Sequence, residues 1–476
     1  MPVLPRHQSA TTTANRRQGT SEPMSAEQCQ QARLSKDRRY DGLFFTAVKT
    51  TGIYCRPICP APAPLERNVE YFSSAIAAAN AGYRPCLRCR PDSAPGSPAW
   101  LGKSTTFRRA QRLIDEGALC SGDLPQLAAR LGVSERYLRK LFDTEIGMSP
   151  KAYSLYRQCL LAKKLLHETR LPVTEIALAC GFNSIRRFND SFRQHFALTP
   201  TEVRRQRNRH PLSSGAVTVT LAYRPPYDWS AVRDFYCSRL IEGLEWVGEN
   251  SYGRTFGDGK GKGHFTAVHD PDKSQFNVTI ELDDITQLAV LLANIRRCLD
   301  LDADSARIES CLVQAMGEPL LSSGIRLPGI WSPFEAGVRA VLGQQVSVKA
   351  ARNLVTKLVA MNPDNEDGRC YFPSPQQVAD WDFSSLGMPQ RRRDTLSILA
   401  RFAVGHSLDD PAALLALPGI GPWTVNYLRM RGLSEPDIFL EGDLGVKKAL
   451  TQYPCEPLSA APWRSYLTLY LWSLLA

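Results

Sequence analysis

TTGIYCRPICP (50–60) and GYRPCLRCRPD (82–92) are the two halves of one stretch, and the four cysteines in them decide how the front of the chain folds. Cys55 and Cys59 stand as C-x3-C, a gap of 26 residues follows, and Cys86 and Cys89 stand as C-x2-C. Two close pairs suit one tetrahedral zinc ion, because each short turn aims two thiolates at a single metal. A small zinc-bound α/β domain over 25–95 is expected. Alone, such a site reads as an inert structural knob. The remaining nine of 13 cysteines are scattered, which favours metal binding and reduced thiols over a disulfide framework, and hence a reducing cytoplasm.

Working outward, 476 residues are too many for one core and imply three or four domains. No run of 18 apolar residues occurs, which argues against a membrane span. Residues 1–24 lack an apolar signal core and are expected to form a disordered tail. The net charge of +11 is uneven: 1–99 hold 13 Lys/Arg against 7 Asp/Glu, 100–210 hold 20 against 10, and 211–476 hold 25 against 30. A basic front half fits a polyanion, since neutralising phosphates releases counterions. The acidic rear half needs another means of holding DNA. PDSAPGSPAW (91–100) and RRQRNRHPLSSG (204–215) read as linkers.

Between the linkers the chain repeats itself. LAARLGVSERYLRKLFDTEIGMSP (127–150) matches IALACGFNSIRRFNDSFRQHFALTP (176–200), with Gly132 pairing Gly181 and Phe142 pairing Phe192. Each copy reads as an apolar helix, a glycine turn, a capping residue (Ser134, Asn183) and a second helix, which is a helix-turn-helix. The second helices offer Glu135, Arg136, Arg139 and Lys140, then Ser184, Arg186, Arg187 and Asn189, to a major groove. A helical bundle with surface arginines is the plainer alternative. The two copies, joined by YSLYRQCLLAKKLL (153–166), resemble the all-α DNA-binding domain of AraC-type regulators, assigned to 100–210.

DGLFFTAVKTTGIYCRPICP (41–60) with NVEYFSSAIAAANAGYRPCLRCRPD (68–92) resembles the N-terminal domain of the Ada family. That resemblance implies zinc on Cys55, Cys59, Cys86 and Cys89, with Cys55 accepting a methyl group from a DNA methylphosphotriester. Basic residues common after the family's second cysteine are replaced by CPAPAP (59–64), so phosphate contact is assigned to Arg56, Arg67, Arg84, Arg88 and Arg90.

AVTVTLAY (216–223), LEWVGEN (244–250) and FNVTIEL (276–282) alternate as an antiparallel sheet and predict an α+β domain over 216–300. From 301 to 476 the pattern is helical. ALLALPGIGPW (413–423) reads as a glycine turn between helices whose amides at Gly419 and Gly421 can approach a phosphate. An aspartate, Asp443, follows 22 residues after Gly421. Together with YRPPYDW (223–229), RLPGIWSPFEAGVRAVLGQQVSV (326–348) and PWRSYLTLYLW (462–472), this resembles the AlkA family of helix-hairpin-helix 3-methyladenine DNA glycosylases. The resemblance implies Asp443 as catalytic carboxylate, although its place before LGVKKAL also reads as a helix cap. It implies a base pocket of Trp423, Tyr427 and Trp463, and Gln345 in the wedge position. Backbone carbonyls of Leu415, Leu417 and Ile420 become candidates for a monovalent cation. Tryptophan at 423, where lyases carry a lysine, and the isolated Cys455 imply a monofunctional enzyme without an iron–sulfur cluster.

The expected whole is a multidomain α+β protein that senses methylphosphotriesters, activates transcription and excises alkylated bases. The alternative is a regulator whose glycosylase half recognises damage but cleaves weakly. Expected partners are alkylated and promoter double-stranded DNA and RNA polymerase, with no membrane, for a monomer in the bacterial cytoplasm at the nucleoid.

Overall fold

The computed structural model of the chain describes residues 24–73, 77–78, 81–86, 88–89, 91, 105–205, 216–257, 261–366 and 368–475. The predicted tail, apart from Met24, and most of both linkers lie outside the described residues, as does Arg90.

Helix α1 (Ala26–Leu34) begins at a capping box in which the Ser25 hydroxyl accepts the Gln28 amide. A four-stranded sheet follows, in the order β3 (Val69–Phe72), β1 (Phe45–Val48), β2 (Ile53–Cys55), β4 (Arg84–Pro85). The β2–β4 pair is parallel and sets Tyr54 opposite Pro85, so both cysteine pairs leave the same end of the sheet. The apolar core beneath is small: Phe45, Ala47, Tyr54 and Ala78, with Cys29, Ala32 and Phe44 beside it.

The repeat is a double helix-turn-helix. Helices α2 (Thr105–Asp115), α3 (Leu124–Arg130) and α4 (Glu135–Ile146) precede the 19-residue α5 (Pro150–Glu168), and α6 (Val173–Ala179) and α7 (Ile185–Phe196) repeat the pair. Gly132 (φ 69°) and Gly181 (φ 80°) take the left-handed turn their residue type permits. The first cap is Ser134 as expected; the second is Ser184, whose hydroxyl accepts the Arg187 amide, and not Asn183. Phe142 and Phe188 turn inward and are fully buried, each contributing roughly 1.5–3 kcal/mol.

Strands β5 (Val217–Ala222), β6 (Glu245–Val247), β7 (Ser251–Gly257), β8 (Lys262–Asp270) and β9 (Gln275–Leu282) form an antiparallel sheet in the order β5-β9-β8-β7-β6. The sequence reading missed β7 and β8. Arg254 and Thr255 in β7 are buried, which hides the alternation of a half-buried strand. Arg254 is admitted because Glu335 pairs with it at 2.9 Å; Arg339 adds bonds to Glu335 and Glu245. Glu335 and Arg339 both lie on α11 (Pro333–Leu342), so this network ties the sheet to the helical part. Before it come α8 (Trp229–Cys237), α9 (Leu288–Cys298) and α10 (Ser305–Met316). After it come α12 (Val348–Ala360), α13 (Gln390–Gly405), α14 (Pro411–Leu415), α15 (Pro422–Tyr427), α16 (Leu444–Gln452) and α17 (Arg464–Ser473).

The parts are joined by more than the chain. One apolar core runs from Phe107 through Phe192 into Val217, Phe276 and Leu301, across the expected linker at 204–215. The buried Lys163 of α5 donates to the Cys86 carbonyl at 3.1 Å, and the hydroxyls of Tyr54 and Tyr156 meet at 2.7 Å. Arg224 binds the Asp41 carbonyl (2.9 Å) and the Asp304 carboxylate (3.0 Å). Arg109 holds Asp409 through two hydrogen bonds of 3.0 and 2.9 Å. Among the described residues no helix is long and apolar enough to cross a membrane.

Candidate thiol and carboxylate sites

The Sγ atoms of Cys55, Cys59, Cys86 and Cys89 all lie within 4.8 Å of one another. Sulfurs around a tetrahedral zinc ion, each about 2.3 Å from the metal, stand roughly 3.8 Å apart, so the four residues fit that ion. Local backbone makes the arrangement. The Cys59 amide turns back to the Arg56 carbonyl (3.1 Å), and the Cys86 amide joins the Tyr54 carbonyl (2.9 Å) across β2–β4. The Arg56 amide donates to Cys89 Sγ (3.3 Å) and the Arg88 amide to Cys86 Sγ (3.4 Å), bonds that favour thiolate sulfur. Hydrogen bonds from neighbouring thiols draw Cys86 down and bring Cys59 down to about 7, while Cys55 and Cys89 are pushed up. Cys86 and Cys89 are buried, and Cys55 and Cys59 are partly exposed.

One assignment at this site is corrected. Arg56 was expected to grip phosphate, but it is buried: it pairs with Asp41 and donates to the Cys89 carbonyl (3.2 Å). Its guanidinium braces the ligand turn and leaves little to offer DNA. Arg67 and Arg88 are exposed and Arg84 is half-buried. On the helix-turn-helix units Arg136, Arg139, Lys140, Arg186 and Arg187 are all exposed. Glu135 pairs with Arg139 (2.9 Å) on the first of the two second helices.

The second site is built around Asp443. Its side chain caps α16, Oδ1 accepting the amides of Gly445 (2.9 Å) and Val446 (3.1 Å), so the cap reading and the site reading fall on one carboxylate. Trp472 Nε1 donates to Oδ1 (2.9 Å) and Trp423 Nε1 to Oδ2 (3.1 Å). Oδ1 is thus fully engaged, and Oδ2 keeps acceptor capacity for a developing positive charge. Gly445 allows this closeness: a Cβ there would stand 3.1 Å from Asp443 Oδ1 and 3.2 Å from the Trp472 ring.

Trp423 stacks on Tyr427 (5.3 Å, 25°) and Phe235 on Trp472 (6.5 Å, 21°). Arg239 lies 3.8 Å over the Phe235 ring, and Arg431, on a π-helical turn after α15, lies 4.5 Å from the same ring. Trp463 does not belong to this cleft. It is 1% exposed and packs on Tyr466 in the core beneath; Trp472, nine residues on, bonds to Asp443 instead. Both tryptophans stand in PWRSYLTLYLW, and local sequence has no signal to choose between them. Phe235 and Arg239 lie 6 and 10 residues after Trp229, and local sequence carries no signal that marks them for this site.

The hairpin lies where the glycines predicted. Gly419 is left-handed (φ 82°) and Gly421 caps α15, with Pro422 first in the helix. Of the carbonyls considered for a cation, that of Leu417 accepts the Ile420 amide (3.1 Å). Gln345 is exposed in the loop between α11 and α12, with φ 57°. A cavity of about 1440 Å³ opens elsewhere, bordered by Arg109, Arg157, Arg296, Asp302, Arg429 and Asp437, and includes neither Asp443 nor the four-cysteine cluster.

Comparison with known proteins agrees with this division. The profile of the metal-binding domain of Ada matches 28–92, that of a helix-turn-helix domain 127–206, and that of the AlkA N-terminal domain 218–332. A probable bifunctional transcriptional activator/DNA repair enzyme AlkA of Mycobacterium tuberculosis is 38% identical over 94% of this chain and 96% of its own. DNA-3-methyladenine glycosylase 2 of Escherichia coli is 33% identical over 53% of this chain and 96% of its own. The bifunctional transcriptional activator/DNA repair enzyme Ada of the same organism is 38% identical over 27% of this chain and 35% of its own. With one relative matched nearly end to end and three part-length profiles in the same order, the chain belongs to the family of bifunctional transcriptional activator/DNA repair enzymes AlkA.

Proposed function

We propose that the chain senses methylphosphotriesters at Cys55, activates transcription through its helix-turn-helix pair, and hydrolytically releases alkylated bases, 3-methyladenine among them, at Asp443. The observation that carries the second half of the reading is the carboxylate held by four donors between two tryptophans.

Cys55, Cys59, Cys86 and Cys89 would hold a zinc ion, which would keep their sulfurs deprotonated and nucleophilic at neutral pH. The Cys55 sulfur attacks the methyl carbon of the phosphotriester; a C–S bond forms, the C–O bond breaks, and the phosphodiester leaves with the electron pair. The thioether formed is a poor leaving group, so one chain takes one methyl group. With zinc bound to the four sulfurs, methylation of Cys55 would remove one negative charge, a formal charge of about −2 becoming about −1, and would weaken repulsion from DNA phosphates. The adjacent helices then hold a promoter longer, at the service of RNA polymerase. Arg67, Arg84 and Arg88, with Arg136, Arg139, Lys140, Arg186 and Arg187, supply the phosphate and base contacts. The protein works as a monomer in the cytoplasm, on the nucleoid.

In excision, the flipped base enters the aromatic cleft and its glycosidic bond breaks with the electron pair going to the base. Asp443 Oδ2 stabilises the positive charge left at C1′, where water adds and gives up a proton. The Leu415, Leu417 and Ile420 carbonyls would hold a monovalent cation, which would supply positive charge for a phosphate beside the Gly419 and Gly421 amides.

A glycosylase assay on DNA carrying 3-methyladenine tests the enzymatic half. Wild type should release base and Asp443→Asn should lose at least about 100-fold. No release by wild type would leave a damage-recognising regulator. Mass analysis after exposure to methylphosphotriester DNA should find one added methyl on Cys55, and none in Cys55→Ala.

A further inference from the structure

We propose that Gln344 is a positioning residue that sets the Gln345–Val346 wedge in register with the hairpin and with the Trp423 helix; this rests on reading 216–476 as a glycosylase.

The loop between α11 and α12 is an unfavourable place to leave a wedge. Gln345 is left-handed, which disfavours a residue with a Cβ, and Gln345 and Val346 both project into solvent. Something must hold the loop, and Gln344 makes every contact needed. Its Nε2 donates to the Gly419 carbonyl (3.2 Å) and to Thr424 Oγ1 (3.1 Å). Its own carbonyl accepts Arg392 Nη2 at 2.5 Å. One residue therefore ties the wedge loop to the hairpin, to the helix that carries Trp423, and to the start of α13.

Helix α13 closes the ring. Three residues after Arg392, Thr395 lies under the hairpin so tightly that a Cβ on Gly419 would come within 2.0 Å of its Oγ1. The hairpin and the wedge loop thus rest on the same helical turn, and the Gln344 amide spans between them. An amide nitrogen has two protons, and both are committed. Gln344 has no side-chain N–H left for DNA, so it acts through Gln345, Gly419 and Trp423 and not by touching substrate. Asparagine would be one methylene too short, and glutamate would set a carboxylate against a carbonyl.

The consequence is a coupling between phosphate grip and base extrusion. With Gln344 in place, the hairpin cannot seat on a phosphate without driving the wedge into the adjacent stack. Without it, the hairpin still binds but the wedge drifts, and a misplacement near 1 Å lowers a rate by about 100-fold.

The test uses the full chain and a single 7-methylguanine, either base-paired in a duplex or placed in a one-nucleotide bulge. Gln344→Ala should lose about 10- to 100-fold in single-turnover excision from the paired site and at most about threefold from the bulge, where pairing no longer resists extrusion. Gln344→Glu should match it near pH 8 and regain rate relative to wild type towards pH 5.5, where a protonated carboxyl can again donate to Gly419. Equal loss on both substrates, no loss on either, or a Gln344→Glu deficit independent of pH would overturn the proposal. A 2-aminopurine beside the lesion, read in an Asp443→Asn background, reports extrusion without chemistry. If wild type released no base from 3-methyladenine DNA either, the enzymatic reading would fall. The fluorescence difference that Gln344→Ala makes in that background would still decide the positioning role, an unchanged signal refuting it.

Discussion

The thiol cluster and the Asp443 site each gather a candidate anion, yet they are built from opposite materials. The cysteines leave a four-stranded sheet whose own core is little more than Phe45, Ala47, Tyr54 and Ala78. Asp443 stands on a large core that includes Leu312, Met430, Trp463, Tyr466 and Leu471. A small domain cannot bury enough apolar surface to stand alone, so its ligands must supply the folding energy. A large helical domain can, and its carboxylate is positioned by hydrogen bonds from two amides and two tryptophans. On the proposed function the first anion would be consumed in one reaction and the second regenerated each cycle, as a sensor and a catalyst require.

That contrast can be broken most severely at the metal. Cys86→Ala, or metal removal by a strong chelator, should abolish methyl uptake and melt 25–95, because structural metal binding contributes on the order of 10 kcal/mol to such folds. Excision should stay within about twofold, since no cysteine of the cluster borders Asp443. Mass analysis and a glycosylase assay on one sample decide it; parallel loss of both activities would mean that the carboxylate site also leans on the metal.

A smaller effect sharpens the other side. Trp472→Phe keeps a ring against Phe235 but removes the 2.9 Å bond to Asp443 Oδ1. Excision should fall about 10-fold, in line with one charged hydrogen bond lost, with methyl uptake unchanged. Trp463→Phe should instead lower melting temperature and leave the rate per folded molecule alone. If the two variants exchanged these effects, the correction made from the structure would be wrong.

Least affected chemically, but most telling for how the regions cooperate, is Arg224→Met. Arg224 is 3% exposed and joins Asp41, beside the cysteine cluster, to Asp304 at the head of α10. Leaving Asp304 buried and unpaired should destabilise by about 3–5 kcal/mol. Calorimetry should show the front and rear halves melting apart where wild type melts together, with both activities retained at low temperature. A single transition at the wild-type temperature would show that Arg224 contributes nothing to holding the halves together.

Much of this was legible in residues close together in sequence. The cysteine spacing, the glycine turns of both helix pairs, the hairpin at Gly419 and the cap-forming Asp443 are features of local chain geometry. The failures share a cause. Arg56 looked free because Asp41, its partner, lies in a different loop. Strand β7 looked unlike a strand because Arg254 is neutralised by Glu335, 81 residues on. Trp463 was preferred to Trp472 because nothing local says which face of α17 meets Asp443.

By itself, then, the sequence determined which modules the chain contains and which atoms to propose as reactive, since spacing, turn chemistry and cap residues act over a few residues. Only the tertiary structure decided which side chains serve those atoms. Trp472 turns to Asp443, Arg56 to Asp41, Gln344 to Gly419, and Lys163 to the carbonyl of Cys86. Each of these is a hydrogen bond or ion pair between segments brought together by burial of apolar surface elsewhere, and that burial is indifferent to which polar partners it brings into reach.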